Sequence, residues 1–138
     1  AYVTEVSRYA LPGANIGLFC HTPQVAVSRT IGRKATMEML LSGEMINAAK
    51  AEKVGLINKV VSSADLDSEV EKVCETINQK SAEVIAQGKR SFYRQIEMGL
   101  TDAYTTTSQN MVKNLELNDA NEGISSFLEK RKPEWTND

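Results

Sequence analysis

Histidine, cysteine and proline are scarce in this chain of 138 residues, with one, two and three copies respectively. The one histidine, His21, has no Asp or Glu cluster at ligand spacing around it, so the sequence predicts no metal site of the Cys/His type. Cys20 and Cys74 lie far apart without a C-x-x-C pattern, which predicts reduced thiols in an intracellular compartment and no disulfide framework. No stretch approaches the roughly 18 consecutive apolar residues of a membrane-spanning helix. The start lacks the basic, apolar, small-residue order of a secretory leader. Neither sign of charge dominates, with 16 Lys and Arg against 18 Asp and Glu. The basic surplus that neutralises nucleic-acid phosphates is therefore missing, and nucleic acid is not an expected partner. Gly13, Gly17 and Gly32 do not form G-x-G-x-x-G, and no Walker lysine follows a strand and turn, which excludes those two nucleotide-binding arrangements.

What is present suffices for one ordinary globular unit: 41% of the residues are apolar, and a chain of this size buries roughly two thirds of the surface its unfolded form exposes. The start, Ala1-Tyr2-Val3-Thr4, is β-branched and aromatic and predicts a strand. Arg8-Tyr9-Ala10-Leu11 predicts a second, closed by the turn dipeptide Pro12-Gly13 and a loop to His21. Thr22-Pro23 is the expected N-cap and first residue of a helix that continues through Val25, Ala26 and Ile31, with Gly32 as its left-handed C-terminal stop. A second helix is expected from Lys34 through Met37, Leu40 and Leu41, stopped by Ser42-Gly43. Asn47 caps a brief helix over 48–54, and the run 56–61 predicts a strand. That strand has few candidate ladder partners, which together with the absence of an initiator Met suggests the C-terminal part of a larger α/β protein.

Beyond Ser62 the apolar spacing is helical throughout. Leu66, Val70, Val73 and Ile77 form one stripe; Val84, Ile85, Phe92 and Ile96 a second; Tyr104, Met111 and Leu115 a third. A last helix over 119–131 carries Ile124, Phe127 and Leu128 and is expected to stop at Pro133.

Few residues offer chemistry. Cys20-His21 is the only Cys/His neighbour pair, but adjacent side chains usually point apart and no third group orients the base. Glu44, Glu52, Glu69, Glu71, Glu75, Glu83 and Glu97 fall among polar neighbours and are expected on solvated helix faces. The cations Lys130-Arg131-Lys132 follow an apolar helix and admit two accounts. They complement the helix macrodipole, or they form an anion site with an aromatic side chain beside it.

The strings Leu11-Pro12-Gly13, Asn15-Ile16-Gly17-Leu18, Arg29-Thr30-Ile31-Gly32, Met37-Glu38-Met39-Leu40-Leu41-Ser42-Gly43, Ile46-Asn47-Ala48 and Gly55-Leu56-Ile57-Asn58-Lys59-Val60-Val61 resemble the second half of the crotonase, or enoyl-CoA hydratase/isomerase, superfamily. The ending Glu122-Gly123-Ile124-Ser125-Ser126-Phe127-Leu128-Glu129-Lys130-Arg131-Lys132-Pro133 resembles that family's C-terminal helix. One subgroup is matched further through 11–20 and the tail Lys130-Arg131-Lys132-Pro133-Glu134-Trp135.

The resemblance implies an α/β fold: the end of a crotonase-like ββα spiral over 1–61, and over 62–138 a helical region that covers coenzyme A and packs subunits into trimers or hexamers. It implies that 56–61 lies against strands of an N-terminal half supplied by the same or another chain. An acyl-CoA thioester is the implied ligand, with no further cofactor, in mitochondria or cytoplasm. The family's two backbone oxyanion donors fall upstream of Ala1 by this likeness, and of its two acid/base glutamates the second falls on Gly13. No catalytic side chain is therefore expected within 1–138, and hydratase chemistry is in doubt. Pro12, Gly13, Phe19 and Cys20 are implied around the acyl group, with His21 facing either way, and Phe127 and Lys130 beside the nucleotide. The expected function is an acyl-CoA-binding enoyl-CoA hydratase/isomerase-like protein with weak or unidentified turnover. The alternative is a non-catalytic acyl-CoA-binding or oligomer-forming protein.

Overall fold

The structure, a computed structural model, describes residues 1–137. It divides into two compact units, Ala1–Val73 and Cys74–Asp138.

The first unit joins four short strands to short helices. Strand β1 (Tyr2–Thr4) pairs in parallel with β4 (Lys59–Val61), in the register Tyr2 to Lys59 and Thr4 to Val61. Strand β2 (Arg8–Tyr9) pairs antiparallel with β3 (Ile46–Asn47). The strand expected over 56–61 thus shortens to three residues, and the start of the same chain supplies a partner to it. Tyr2-Val3-Thr4 offers β-branched and aromatic side chains that favour the pleated geometry, and the connection from β1 to β4 is long enough for a parallel crossover.

Between these strands lie a 3-10 helix (Pro12–Ile16), α1 (Pro23–Thr30), α2 (Arg33–Ser42) and α3 (Ala48–Lys53). Two expected caps are corrected. Thr22 has helical dihedrals and makes no side-chain capping bond. Gly32 is extended at φ −62°, ψ 148°, and serves as the N-cap of α2 instead of a left-handed end to α1. Gly43 does stop α2 in the left-handed region at φ 59°, where a Cβ would stand 2.6 Å from the Asn15 side chain. Asn47 does cap α3, its Oδ1 accepting from the Lys50 amide at 2.9 Å. Asn47→Ala should lower stability by about 1 kcal/mol, read as a lower denaturant midpoint with an unchanged slope.

The core of this unit gathers Leu11, Ile31, Met39, Leu40, Ile46, Ala51 and Ile57, with Val3, Tyr9, Phe19 and Cys20 packed against it. Of the apolar residues of α2, Met39 and Leu40 are buried, and Met37 and Leu41 are exposed. Helix α4 (Leu66–Asn78) then carries the chain onward.

The second unit contains α5 (Ala82–Gln95), α6 (Leu100–Leu115) and α7 (Asn118–Leu128), with contacts from α5 to α6 and from α6 to α7. Ser81 caps α5 by accepting from the Val84 amide at 3.2 Å. The only buried side chains described here are polar: Ser81, Asp119 and Ser126. The apolar stripes read from the spacing are half-buried or open, with Phe92, Tyr104, Met111, Ile124 and Phe127 all exposed. Helix α7 also stops earlier than expected. It ends at Leu128, two residues before Lys130 enters the left-handed region at φ 54°.

Candidate functional site

The loop 11–20 holds four of the sequence-predicted site residues together. Pro12 opens the 3-10 helix, where its missing amide hydrogen is not needed. Pro12 itself is exposed, and Gly13 follows it half-buried. The Gly13 amide donates to Cys20 Sγ at 3.3 Å. Its carbonyl accepts from the Leu18 amide at 3.0 Å. Gly17 makes this return possible with φ 75°. Phe19 and Cys20 are half-buried against the core, and the Phe19 ring sits 5.2 Å from the exposed His21 ring. The outcome at Gly13 is decisive: a Cβ there would stand 2.9 Å from Cys20 Sγ and 2.9 Å from the Leu18 carbonyl oxygen. Real Cβ atoms do not come so close, and the second obstacle is backbone. The space a side chain would need at this position is taken.

Phe127 and Lys130 belong to the other unit, at the end of α7. Phe127 is 81% exposed. It lines an apolar groove of about 640 Å³ with Val84, Ile85, Ile124, Leu128 and Trp135. The helix ends in a Schellman arrangement, the Lys130 amide donating to the Phe127 carbonyl at 3.3 Å and the Arg131 amide to the Ser126 carbonyl at 3.0 Å. Glycine usually takes the left-handed position of this motif because it has no Cβ; here it is Lys130.

The three consecutive cations are not equivalent, and they lie beyond the helix instead of within its last turn. The Arg131 guanidinium reaches both oxygens of Glu122, with Nη2 to Oε2 at 2.8 Å, and also Glu129 at 2.6 Å. That guanidinium, followed by the Glu134 amide at 2.8 Å, holds the Glu122 carboxyl down to about 2. Arg131 is correspondingly pushed up. Lys130 and Lys132 keep ammonium groups that no described residue takes up.

Asp119, which no motif in the sequence singles out, is the most tightly held carboxylate of this unit. It is 1% exposed. It accepts from the Thr136 amide at 2.7 Å, the Thr136 hydroxyl at 3.0 Å and the Asn137 amide at 3.1 Å. The Ser81 hydroxyl bond is the largest influence lowering its pKa, with the Thr136 and Asn137 bonds adding to it against the cost of burial. Asn137 in turn accepts from the Ala82 amide at 2.8 Å, and Trp135 Nε1 donates to the Gln79 carbonyl at 2.7 Å. The last described residues thus form a strap tied to the start of α5 and to α7. Glu122 and Asp119 are legible only as an acidic first half of a helix; their partners on the tail lie 9 to 18 residues further on, on a segment with no periodicity to read.

Several of the glutamates expected on solvated faces have partners, Glu83 among them, which accepts from the Arg90 guanidinium at 3.0 Å. Glu69 holds Lys59, and also Lys72 at 2.7 Å, and these two bring its carboxyl down to about 2. Glu52 accepts from the Val60 amide at 3.2 Å. Among the described residues no three His, Cys, Asp or Glu side chains stand together as metal ligands, and no helix is long and apolar enough to cross a membrane.

Two short sheets flanked by helices, with a helical second unit, agree with the end of a ββα spiral, and the comparisons place that fold. The enoyl-CoA hydratase/isomerase profile matches residues 1–138. The chain belongs to the enoyl-CoA hydratase/isomerase family, the crotonase superfamily. It is 49% identical over 136 residues to the mitochondrial enoyl-CoA hydratase domain-containing protein 3 of Xenopus laevis, covering 99% of this chain and 46% of that protein. Two crystal structures are each 47% identical to it. One is an enoyl-CoA hydratase of Mycobacterium smegmatis, with a TM-score of 0.92 over 98% of this chain and 52% of that one. The other is human enoyl coenzyme A hydratase domain-containing protein 3, with a TM-score of 0.89 over 98% and 53%. The chain spans about half the length of the curated relatives it matches.

Proposed function

We propose that this chain serves an acyl-CoA-binding protein of the enoyl-CoA hydratase/isomerase family in which hydration is weak or absent. The observation that carries this reading is the closed environment of Gly13. A two-carboxylate hydratase moves protons with a positioned acid and base, and losing one typically costs about two to four orders of magnitude. At Gly13 the carboxylate is missing and its volume is occupied by Cys20 Sγ and the Leu18 carbonyl. What remains at this place is a shaped wall of Pro12, Phe19 and Cys20, able to orient an acyl group but not to exchange its protons.

Backbone donors outside 1–138 would polarise the thioester carbonyl, Lys130 and Phe127 would face the nucleotide, and no further cofactor would be needed. The exposed apolar stripes of α5, α6 and α7 support burial against further protein, the rest of the fold or neighbouring subunits in a trimer or hexamer. The mitochondrial proteins among its relatives support a mitochondrial location.

The test uses the full-length protein. Titration with a saturated acyl-CoA should show binding, and loss of enoyl-thioester absorbance should run about 100-fold or more below a two-carboxylate relative. Hydration at the relative's rate would overturn the reading. Binding without turnover of any thioester would leave the purely acyl-CoA-binding alternative as the function.

A further inference from the structure

The backbone at Lys130 is the most informative irregularity in the second unit. At φ 54° it is one of two described non-glycine residues in the left-handed region, the other being Asn137 in the strap. An L-residue is disfavoured there and persists only where its surroundings over-determine it. Those surroundings are visible. Two Schellman bonds fix the amides of residues 130 and 131. Immediately beyond, the Arg131 guanidinium is spread over Glu122 and Glu129 and also donates to the Lys132 carbonyl at 3.2 Å. The same Glu122 carboxylate accepts from the Glu134 amide. Glu122 therefore ties α7, one turn and a half before its end, to both sides of the turn that displays Lys130. It also neutralises the cation that would otherwise compete with Lys130 for an anion.

We propose that Glu122 is a positioning residue for phosphate recognition: by capturing Arg131 and the Glu134 amide it locks the left-handed turn that presents the Lys130 ammonium to a phosphate of the coenzyme A thioester. This rests on the reading of Lys130 as a nucleotide-side contact. A planar, two-pronged Arg–carboxylate pair is suited to the task because it restrains direction as well as distance. Glycine would serve the helix end better, and lysine at that place is explained by what its side chain reaches.

The experiment is a double-mutant cycle in the full-length protein, reading the dissociation constant of butyryl-CoA. Lys130→Gln should weaken binding about ten-fold, the scale of one charge-assisted hydrogen bond. Glu122→Gln should weaken it several-fold while Lys130 is present, and by less than about two-fold in the Lys130→Gln background, since a residue acting through another loses its effect when that other is gone. Arg131→Lys keeps the charge and loses the fork, so it should reproduce the effect of Glu122→Gln without its cost to folding. Lys130→Gly should bind as weakly as Lys130→Gln yet melt a few degrees higher than the parent. Equal losses from Glu122→Gln in both backgrounds, or full affinity in Arg131→Lys, would overturn the positioning role. Failure of the parent to bind butyryl-CoA would instead overturn the acyl-CoA reading beneath it.

Discussion

Replacing Gly13 by glutamate should yield a less stable protein that still hydrates no enoyl thioester at a hydratase's rate. The substitution supplies the carboxylate that the family pattern wants, yet the first carbon of the new side chain meets Cys20 Sγ and the Leu18 carbonyl oxygen, each at 2.9 Å. The thiol can rotate away. The carbonyl cannot move without its loop, because the Leu18 amide is itself bonded to the Gly13 carbonyl and Phe19 is packed on the core. Overpacking of this kind costs about 1–3 kcal/mol. It should appear as a melting midpoint several degrees lower in the full-length protein. Cys20→Ala alone removes only the movable obstacle, so the pair Gly13→Glu with Cys20→Ala should regain part of the stability and little of the activity. Restoration of hydration by Gly13→Glu alone would show that the loop opens more easily than its hydrogen bonds indicate.

Asp119→Ala should be the most damaging single change in the second unit. It strips acceptors from the Thr136 amide and hydroxyl, the Asn137 amide and the Ser81 hydroxyl, in a place only 1% exposed. Buried donors left without partners are the costly kind of lost hydrogen bond. The melting midpoint should fall by on the order of 10 °C. The strap should come loose with it. Trp135 is the only tryptophan of the chain, and its bond to the Gln79 carbonyl makes its emission a direct reporter: a red shift marks release. Asp119→Asn, which keeps the shape and one acceptor oxygen, should lie between the two.

Acid should loosen the same strap. Asp119 and Glu122 both have pKa values lowered by folding, Asp119 chiefly by Ser81 and Glu122 chiefly by Arg131. A carboxyl with a depressed folded pKa contributes stability above its unfolded value, near 4. That contribution disappears as the pH falls toward the folded value, which is about 2 for Glu122. Trp135 emission should therefore hold steady at neutral pH and shift progressively below pH about 4. Glu122→Gln removes one of the titrating groups and should flatten that acid limb; an unchanged limb would place the sensitivity elsewhere.

Local signals made several elements legible before any fold was known. Asn47 before an alanine-rich run marks a cap because its side chain reaches the amide three residues on. Ser42-Gly43 marks a stop because only the second can adopt φ 59° cheaply. Thr22 and Gly32 carried the same kind of signal and were misread. The turn into α2 takes Gly32 as an extended cap, and this is decided by how α1 and α2 pack around Ile31, a buried residue between them. The helical stripes beyond Ser62 are amphipathic, as their spacing predicts, and their apolar faces stay half-buried or open. Periodicity tells which face is apolar, and it is silent on whether the surface that covers that face belongs to the same stretch of chain.

The sequence by itself determined the family, the helical character of the second unit, and the absence of a carboxylate at Gly13, since all three are matters of residue identity and short-range spacing. Tertiary structure alone decided the rest. It paired β1 with β4, filled the space beside Gly13 with the Cys20 sulfur and a backbone oxygen, and spent Arg131 on Glu122 while leaving Lys130 free in a left-handed turn. It also made Asp119 the anchor of a strap arriving from 17 and 18 residues away. Hydrogen bonds and close contacts act across a few ångströms whatever the separation along the chain, so their partners become visible only once the chain has folded back on itself.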